Sequence, residues 1–349
     1  MSITKKVFGT DKKTKKAVYE YCIKNKNGMY AKILNYGGII RELWVPDGNG
    51  KLADVVLGHD DLMPYYENAG FLGAAIGPSA NRIGGGKFTI DGVEYQIPVN
   101  ENENNLHSDK ENGYHVRIFD VEEGVNSIRL FLQDEDGAMG FPGNKKLEII
   151  YTVTEENGLR IDYHFISDRR TILNPTNHSY FNLRGQDGGS IEDHVLWLKA
   201  SYYTPVAEGS IPTGEIASVK GTPMDFTEPK TIGQEIGADF EQLKLGGGYD
   251  HNWVLDDVDG QLQLVAKVTA PGTGRVMKVY TTLPGLQFYA GNFLGDQDGK
   301  LGTKYHNRYG LALETQYFPD GIHKENFPDV MFGPDRQYVS STVYQFCYE

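Results

Sequence analysis

Two histidines, His107 and His178, two carboxylates, Asp250 and Glu314, and one arginine, Arg82, stand in segments where polar groups crowd beside aromatics. The segments read GPSANRIGGGKF, NENENNLHSD, NPTNHSYFNL, LGGGYDHNWVL and RYGLALETQYFPDGIH. Histidine and glutamate are the usual general acid and base, and carboxylates and amides satisfy pairs of hydroxyl groups. Aromatic rings cover the apolar C–H face of a sugar, and the glycines before Asp250, with Trp253 just after it, would form a close backbone approach beside a stacking platform. These residue types fit binding and proton transfer on a polyhydroxylated molecule. Taken singly each has a plainer reading: Arg82 as a surface ion-pair partner, His107 as a loop histidine. The residues alone do not separate an enzyme from a sugar-binding module.

Such a site needs a rigid scaffold, and the scaffold is strand. Asn-Gly and Asp-Gly steps recur along the chain, and several lie between alternating segments, as in KFTIDGVEYQI, LEIIYTVTEENGLRIDYHF and WVLDDVDGQLQLVAKV. Each is expected to be a hairpin, because such a pair supplies the positive φ angles of a two-residue turn. In IDYHF the period of two places Ile161, Tyr163 and Phe165 on one face and Asp162 and His164 on the other. Long stretches of helical period are missing. Only the stretch from Asp60 to Asn68 and the segment TIGQEIGADF offer a turn of helix. The expectation is an all-β fold of stacked antiparallel sheets, a sandwich or barrel with few short helices, built as one domain over 1–349. In it, Asn174-Pro175 turns the chain, so His178 sits where a loop enters a strand, while Glu314 stands where an apolar strand ends.

Composition removes other classes. Acidic residues outnumber basic ones 47 to 34, a formal charge of -13, which repels polyanions such as nucleic acid. The lysines at 5, 6, 12, 13, 15 and 16 lack interleaved aromatics and read as a solvated edge or turn. Two cysteines, Cys22 and Cys347, are too few for a disulfide framework, and no apolar run reaches membrane-spanning length. A cytoplasmic protein is expected. No His-Glu-x-x-His, Cys-x-x-Cys, Gly-x-Ser-x-Gly or Walker pattern is present, so neither metal nor cofactor is expected, and Gly84-Gly85-Gly86 reads as a turn.

The segments LNYGGIIRELWVPD, GAAIGPSANRI, NNLHS, NPTNHSYFNL, GGYDHNWVL, LQFYAGNF and LETQYFPDGIH, in that order, resemble the aldose 1-epimerase (galactose mutarotase) family over nearly the whole chain. The resemblance implies a large β-sandwich, the galactose mutarotase-like supersandwich, that interconverts the α and β anomers of free aldohexoses without cofactor or metal, as a monomer or homodimer. Carried over, His178 would be the general acid and Glu314 the general base. Asn81, Arg82, His107 and Asp250 would hold sugar hydroxyls, with Gln316 as a further contact. Two positions depart from the pattern. Ser108-Asp109 replaces a Gly-Gly pair after His107, and Pro78 stands where an arginine is frequent, which puts the loop's shape and its hydroxyl contacts in question. The rival readings are a silent carbohydrate-binding module, a glycosidase using Asp250 and Glu314, and an epimerase of hexose 6-phosphates. Reference values of about 4.3 for Glu and 6.5 for His predict a narrow bell of rate against pH, with the glutamate on its acid side and the histidine on its alkaline side.

Overall fold

The computed structural model describes residues 2–68 and 70–349, and strand dominates them. Two of the expected hairpins form, the first through the two-residue turn and the second through a longer loop in which only Asn157 of the Asn-Gly pair takes a positive φ. Lys87–Ile90 pairs antiparallel with Val93–Gln96 across Asp91 and Gly92, both at positive φ (52° and 79°). Lys145–Val153 pairs with Gly158–Ser167 next to Asn157 at φ 60°. Along the latter strand Ile161, Tyr163 and Phe165 are buried, whereas Asp162 and His164 are not.

The third expected hairpin does not form. Asp250–Val254 and Gln263–Thr269 belong to different sheets, and the chain between them crosses from one to the other. Within that crossing the positive φ angles fall on Asp257 and Gly260 (56° and 80°), so the adjacent pair that a two-residue turn needs is absent. The Asp256 carboxylate instead accepts the Ser201 N–H (3.1 Å) and hydroxyl (2.8 Å), which ties the crossing to another loop.

Three antiparallel sheets carry the fold. The five-stranded one runs in chain order from Ser2–Thr10 to Leu52–Asp54. The nine-stranded one contains, side by side, Lys145–Val153, Gly158–Ser167, Tyr338–Tyr348, Arg275–Thr281 and Gln263–Thr269. The six-stranded one is ordered Tyr180–Phe181, Leu311–Gln316, Gly285–Tyr289, Asp250–Val254, Tyr202–Thr204, Ala217–Ser218. One buried cluster joins all three, including Ile33 and Leu43, Ile149 and Phe346, and Phe288 and Leu313. Each such side chain contributes about 1.5–3 kcal/mol relative to exposure. The result is an all-β antiparallel sandwich.

The lysine-rich N-terminal segment is the edge strand Ser2–Thr10 and the turn after it, with the Lys5 ammonium 4.0 Å above the Tyr19 ring. The two helical expectations become single 3₁₀ turns, Met63–Tyr66 and Ile232–Gln234. The only α-helix among the described residues, Glu241–Gly246, lies just beyond the segment expected to hold one and stops at Gly247, which takes the left-handed φ of 64°. No helix there is long and apolar enough to cross a membrane.

At the edge strand of the five-stranded sheet, a buried ion pair locks two distant segments. The Lys300 ammonium donates to the Asp54 carboxylate (2.5 Å) and to the carbonyls of Arg41 (2.7 Å) and Val56 (2.7 Å), with both charged side chains at most 6% exposed. Burial pushes the Asp54 carboxyl up and the Lys300 ammonium down, and each is opposed by the other's charge.

Candidate active site

Cross-strand register decides which side chains share a face of the six-stranded sheet. Asn252 pairs with Gln287 and Gln287 with Glu314, while Asp250 pairs with Tyr289. With the period of two, Asp250, Asn252, Gln287, Tyr289, Glu314 and Gln316 line one face, and Trp253, Phe288 and Leu313 turn to the core on the other. The strand under Glu314 is held from behind: the Tyr344 hydroxyl donates to the Leu313 carbonyl (2.8 Å), and the Thr315 and Thr342 hydroxyls meet at 2.5 Å. Glu314 is therefore inside a strand that runs to Gln316, not at its end as its sequence context predicts.

Over this polar face lies a cavity of about 240 Å³ lined by Asn81, Arg82, Glu101, His107, His178, Asp250 and Glu314, with Phe71, Tyr180, Tyr289 and Phe293 as aromatic walls. His178 sits between two short strands, Thr176–Asn177 and Tyr180–Phe181. Its N–H donates to the Ala74 carbonyl (2.9 Å) and its own carbonyl accepts the Gly73 N–H (3.0 Å), so the backbone cannot swing. The ring reaches Glu314, with Nε2 to Oε1 at 3.6 Å, and both groups are nearly inaccessible. His178 Nδ1 and Glu314 Oε2 have no partner in the protein. Buried groups without partners are costly, and here both border a cavity that a ligand could fill.

Arg82 and His107 arrive together because Arg82–Ile83 pairs with Asn105–Leu106. Asn81 and His107, both at left-handed φ (58° and 55°), bond to each other twice. The His107 N–H donates to the Asn81 carbonyl (3.0 Å), and the Asn81 N–H donates to His107 Nδ1 (3.1 Å). An Nδ1 that accepts leaves the neutral ring's proton on Nε2, so His107 presents a donor. Nitrogen and oxygen atoms of His107, His178 and Glu314 lie within 4.8 Å of one another. A metal there would need the lone pair that this tautomer lacks, and the remaining two ligands are fewer than the three of a catalytic zinc. The donor set does not suit a metal.

Glu101 grips Arg82 with two bonds, Nε to Oε2 at 2.5 Å and Nη2 to Oε1 at 2.9 Å. Asp250 accepts from Gln287 Nε2 (2.7 Å). Gln316 is fully buried, donating to Asn252 (3.1 Å) and Gln287 (3.3 Å), and stands behind Asp250 rather than on the cavity wall. Trp253 is no stacking platform: it is fully buried, and its indole N–H donates to the Met224 carbonyl (3.0 Å). That position at the cavity mouth belongs to Phe293, which is 70% exposed. Ser108 and Asp109 shape their loop. The Ser108 hydroxyl donates to the Ser79 carbonyl (2.8 Å), and the Asp109 carboxylate accepts the N–H groups of Glu111 (2.7 Å) and Asn112 (3.0 Å). The Pro78 carbonyl accepts the Asn174 N–H (2.9 Å), which places Pro78 in the scaffold and not among the lining residues.

Burial pushes the Glu314 carboxyl well above the usual carboxylate range, and the neighbouring Asp250 adds to this while Arg82 opposes it. Burial pushes His178 down to about 4 and His107 well below its ordinary value. Burial thus works against an ion pair between His178 and Glu314 and favours a neutral imidazole facing a protonated carboxyl.

Glu101, Gln287 and the aromatic walls Phe71 and Tyr289 are absent from the residues picked out by sequence. Gln287 and Tyr289 did leave a signal, since LQFY alternates polar and apolar positions. Phe71 left none, because its contacts depend on a left-handed turn.

The family model for aldose 1-epimerase matches residues 19–345. Galactose mutarotase from Bos taurus is 37% identical, and the match covers 99% of each chain. Aldose 1-epimerase from Escherichia coli (strain K12) is 35% identical over 94% of each. Among solved structures, galactose 1-epimerase from Lactobacillus acidophilus NCFM superposes with a TM-score of 0.85 at 28% identity, covering 99% of both chains. An aldose epimerase homologue from C. elegans gives 0.86 at 31% identity, covering 94% of this chain and 98% of its own.

Proposed function

The chain belongs to the aldose 1-epimerase family, and from that premise we propose that its cavity interconverts the α and β anomers of free aldohexoses such as galactose and glucose, with His178 and Glu314 moving the protons. The observation that carries the residue assignment is the 3.6 Å approach of two buried, otherwise unpartnered groups across a sugar-sized cavity. Glu314 takes the proton of the C1 hydroxyl while His178 gives one to the ring oxygen. The C1–O5 bond breaks, C1 becomes an aldehyde, and rotation about C1–C2 presents its other face. Reversal of both transfers re-forms the ring as the other anomer and restores the pair. Acid and base acting together avoid a discrete charged intermediate.

Ring opening leaves the proton on Glu314 and the imidazole neutral, which is the arrangement that burial favours. To begin, the pair needs the opposite arrangement at the same proton count. Sugar hydroxyls that donate to the carboxylate favour its ionised form and move the proton to His178. His107, as a fixed donor, and Asn81, Asp250 and Arg82 hold the remaining hydroxyls. Gln316 acts behind Asp250 through Gln287. Arg82 is the one Lys or Arg of the lining, and Glu101 occupies two of its nitrogens, which favours a neutral sugar over a hexose 6-phosphate. The same reading makes 1–349 one domain and places the enzyme in the cytoplasm, as a monomer or homodimer acting without cofactor or nucleic acid.

Polarimetry of freshly dissolved α-glucose and α-galactose tests the activity. The expected result is a relaxation faster than the spontaneous one and proportional to enzyme. A rate unchanged by the protein would leave only a sugar-binding module. Its pH dependence differs from that predicted by reference values. The acid limb of kcat/KM is where the one-proton pair takes up a second proton at His178, near 4. The alkaline limb is where it loses its single proton from the raised Glu314. The histidine therefore sets the acid limb and the glutamate the alkaline one, the reverse of the reference order, and an acid limb at the ordinary carboxylate value with an alkaline limb at the ordinary histidine value would refute this order. Arg82→Ala is expected to raise KM by about tenfold while lowering kcat less, as befits a residue that contacts ground and transition states alike. Initial rates over a range of sugar concentrations decide this, and a kcat loss larger than the KM change would contradict it.

A further inference from the structure

Phe71 is a bulky residue with a left-handed backbone, at φ 55°, beside the cavity. Such residues are true outliers, and they persist at functional sites where the surroundings enforce them. The enforcement is visible. The Phe71 N–H donates to the Asn68 carbonyl (2.7 Å), the Ala74 N–H to the Phe71 carbonyl (3.0 Å), and the Leu72 N–H to the Asn68 side chain (2.7 Å). The same short loop supplies both backbone bonds to His178, through Gly73 and Ala74. The turn puts the phenyl ring among three imidazoles, 4.7 Å from His107, 4.9 Å from His115 and 6.0 Å from His178, centre to centre. Only 7% of Phe71 is exposed.

We propose that Phe71 is a positioning residue for proton transfer, its ring fixing the imidazoles of His178 and His107 and closing that side of the cavity to water. The proposal rests on the acid-base reading above. The groups facing His178 are Glu314 at 3.6 Å, the rings of His107, Tyr180 and Tyr289, and, across the cavity, Asp250 and Arg82, while His115 lies behind Phe71. Of all these contacts, Phe71 is the apolar one that holds both cavity histidines. An apolar ring here does what no polar neighbour does: it denies the imidazolium the water it needs, so removing it lets His178 take up a proton at higher pH.

Two variants test this. Phe71→Gly removes the ring at a backbone angle that glycine adopts without strain, so the fold is expected to survive, which circular dichroism and melting verify. Its kcat is expected to fall about 10- to 100-fold through loss of alignment, and the acid limb of kcat/KM is expected to move up toward the ordinary histidine value. Phe71→Leu keeps the apolar bulk but not the flat ring, so its acid limb is expected to stay at the wild-type position while kcat falls severalfold. A folded Phe71→Gly enzyme with an unmoved acid limb, whatever its kcat, overturns the proposal. So does a Phe71→Leu enzyme with wild-type kcat, which remains decisive if the glycine variant does not fold. A wild-type protein without mutarotation would instead defeat the acid-base reading itself.

Discussion

Glu314→Gln and His178→Asn each lower kcat by about 10²-fold or more, the usual worth of a positioned acid or base. Glu314→Gln keeps the shape of the side chain, His178→Asn shortens it to an amide near the Nδ1 position, and both remove the ability to exchange a proton. Burial favours the protonated, uncharged form of Glu314, so the glutamine variant places a neutral group of like shape in the same site. Its melting temperature is expected to stay close to wild type, which separates loss of chemistry from loss of fold. The double variant is expected to lose far less than the product of the single losses, because one proton is shared and either substitution already breaks the exchange. Polarimetric kcat values for the three variants, with sugar binding measured separately, provide the test. A folded, sugar-binding single variant with near-native kcat would remove His178 and Glu314 from the roles assigned to them.

The second large effect concerns stability. Lys300→Met is expected to cost about 3–5 kcal/mol, because it strands the buried Asp54 carboxylate and leaves the carbonyls of Arg41 and Val56 without their donor. Adding Asp54→Asn to it removes the uncompensated charge and is expected to recover a large part of that loss, although Leu43 still needs an acceptor at this position (2.9 Å in the native protein). Urea denaturation of the single and double variants measures both. A Lys300→Met protein as stable as wild type would mean that the ion pair contributes nothing net.

Where sequence and structure agree, a local rule sufficed. Asp91-Gly92 forces its turn by backbone geometry alone, and the alternation in IDYHF survives because one face is buried. Where they part, the deciding partner is remote. Asp259-Gly260 looks like the same turn, but the strands on either side are claimed by different sheets. Trp253 reads as a platform because it follows the glycines and Asp250, yet the period of two sends it to the core. That His178, Glu314, Arg82, His107, Asn81 and Asp250 would share one cavity was legible, since their types are conspicuous in otherwise alternating sequence. Their protonation was not legible. It follows from burial, which inverts the order that reference values give for a glutamate and a histidine. Nor was the Glu101 grip on Arg82, because its two ends come from separate turns of the chain.

The strand Tyr338–Tyr348 lies between Gly158–Ser167 and Arg275–Thr281, and of the nine strands in its sheet it is the last to be synthesised. Until it leaves the ribosome, its two future neighbours are open edges some hundred residues apart in sequence, exposing unpaired backbone and half a core. Pairings across such separations form slowly, and unpaired edges invite contact with other chains. The nine-stranded sheet is thus complete only when this strand joins its two halves. A message that stops short of residue 338 encodes two unsewn half-sheets, not a slightly shorter catalyst.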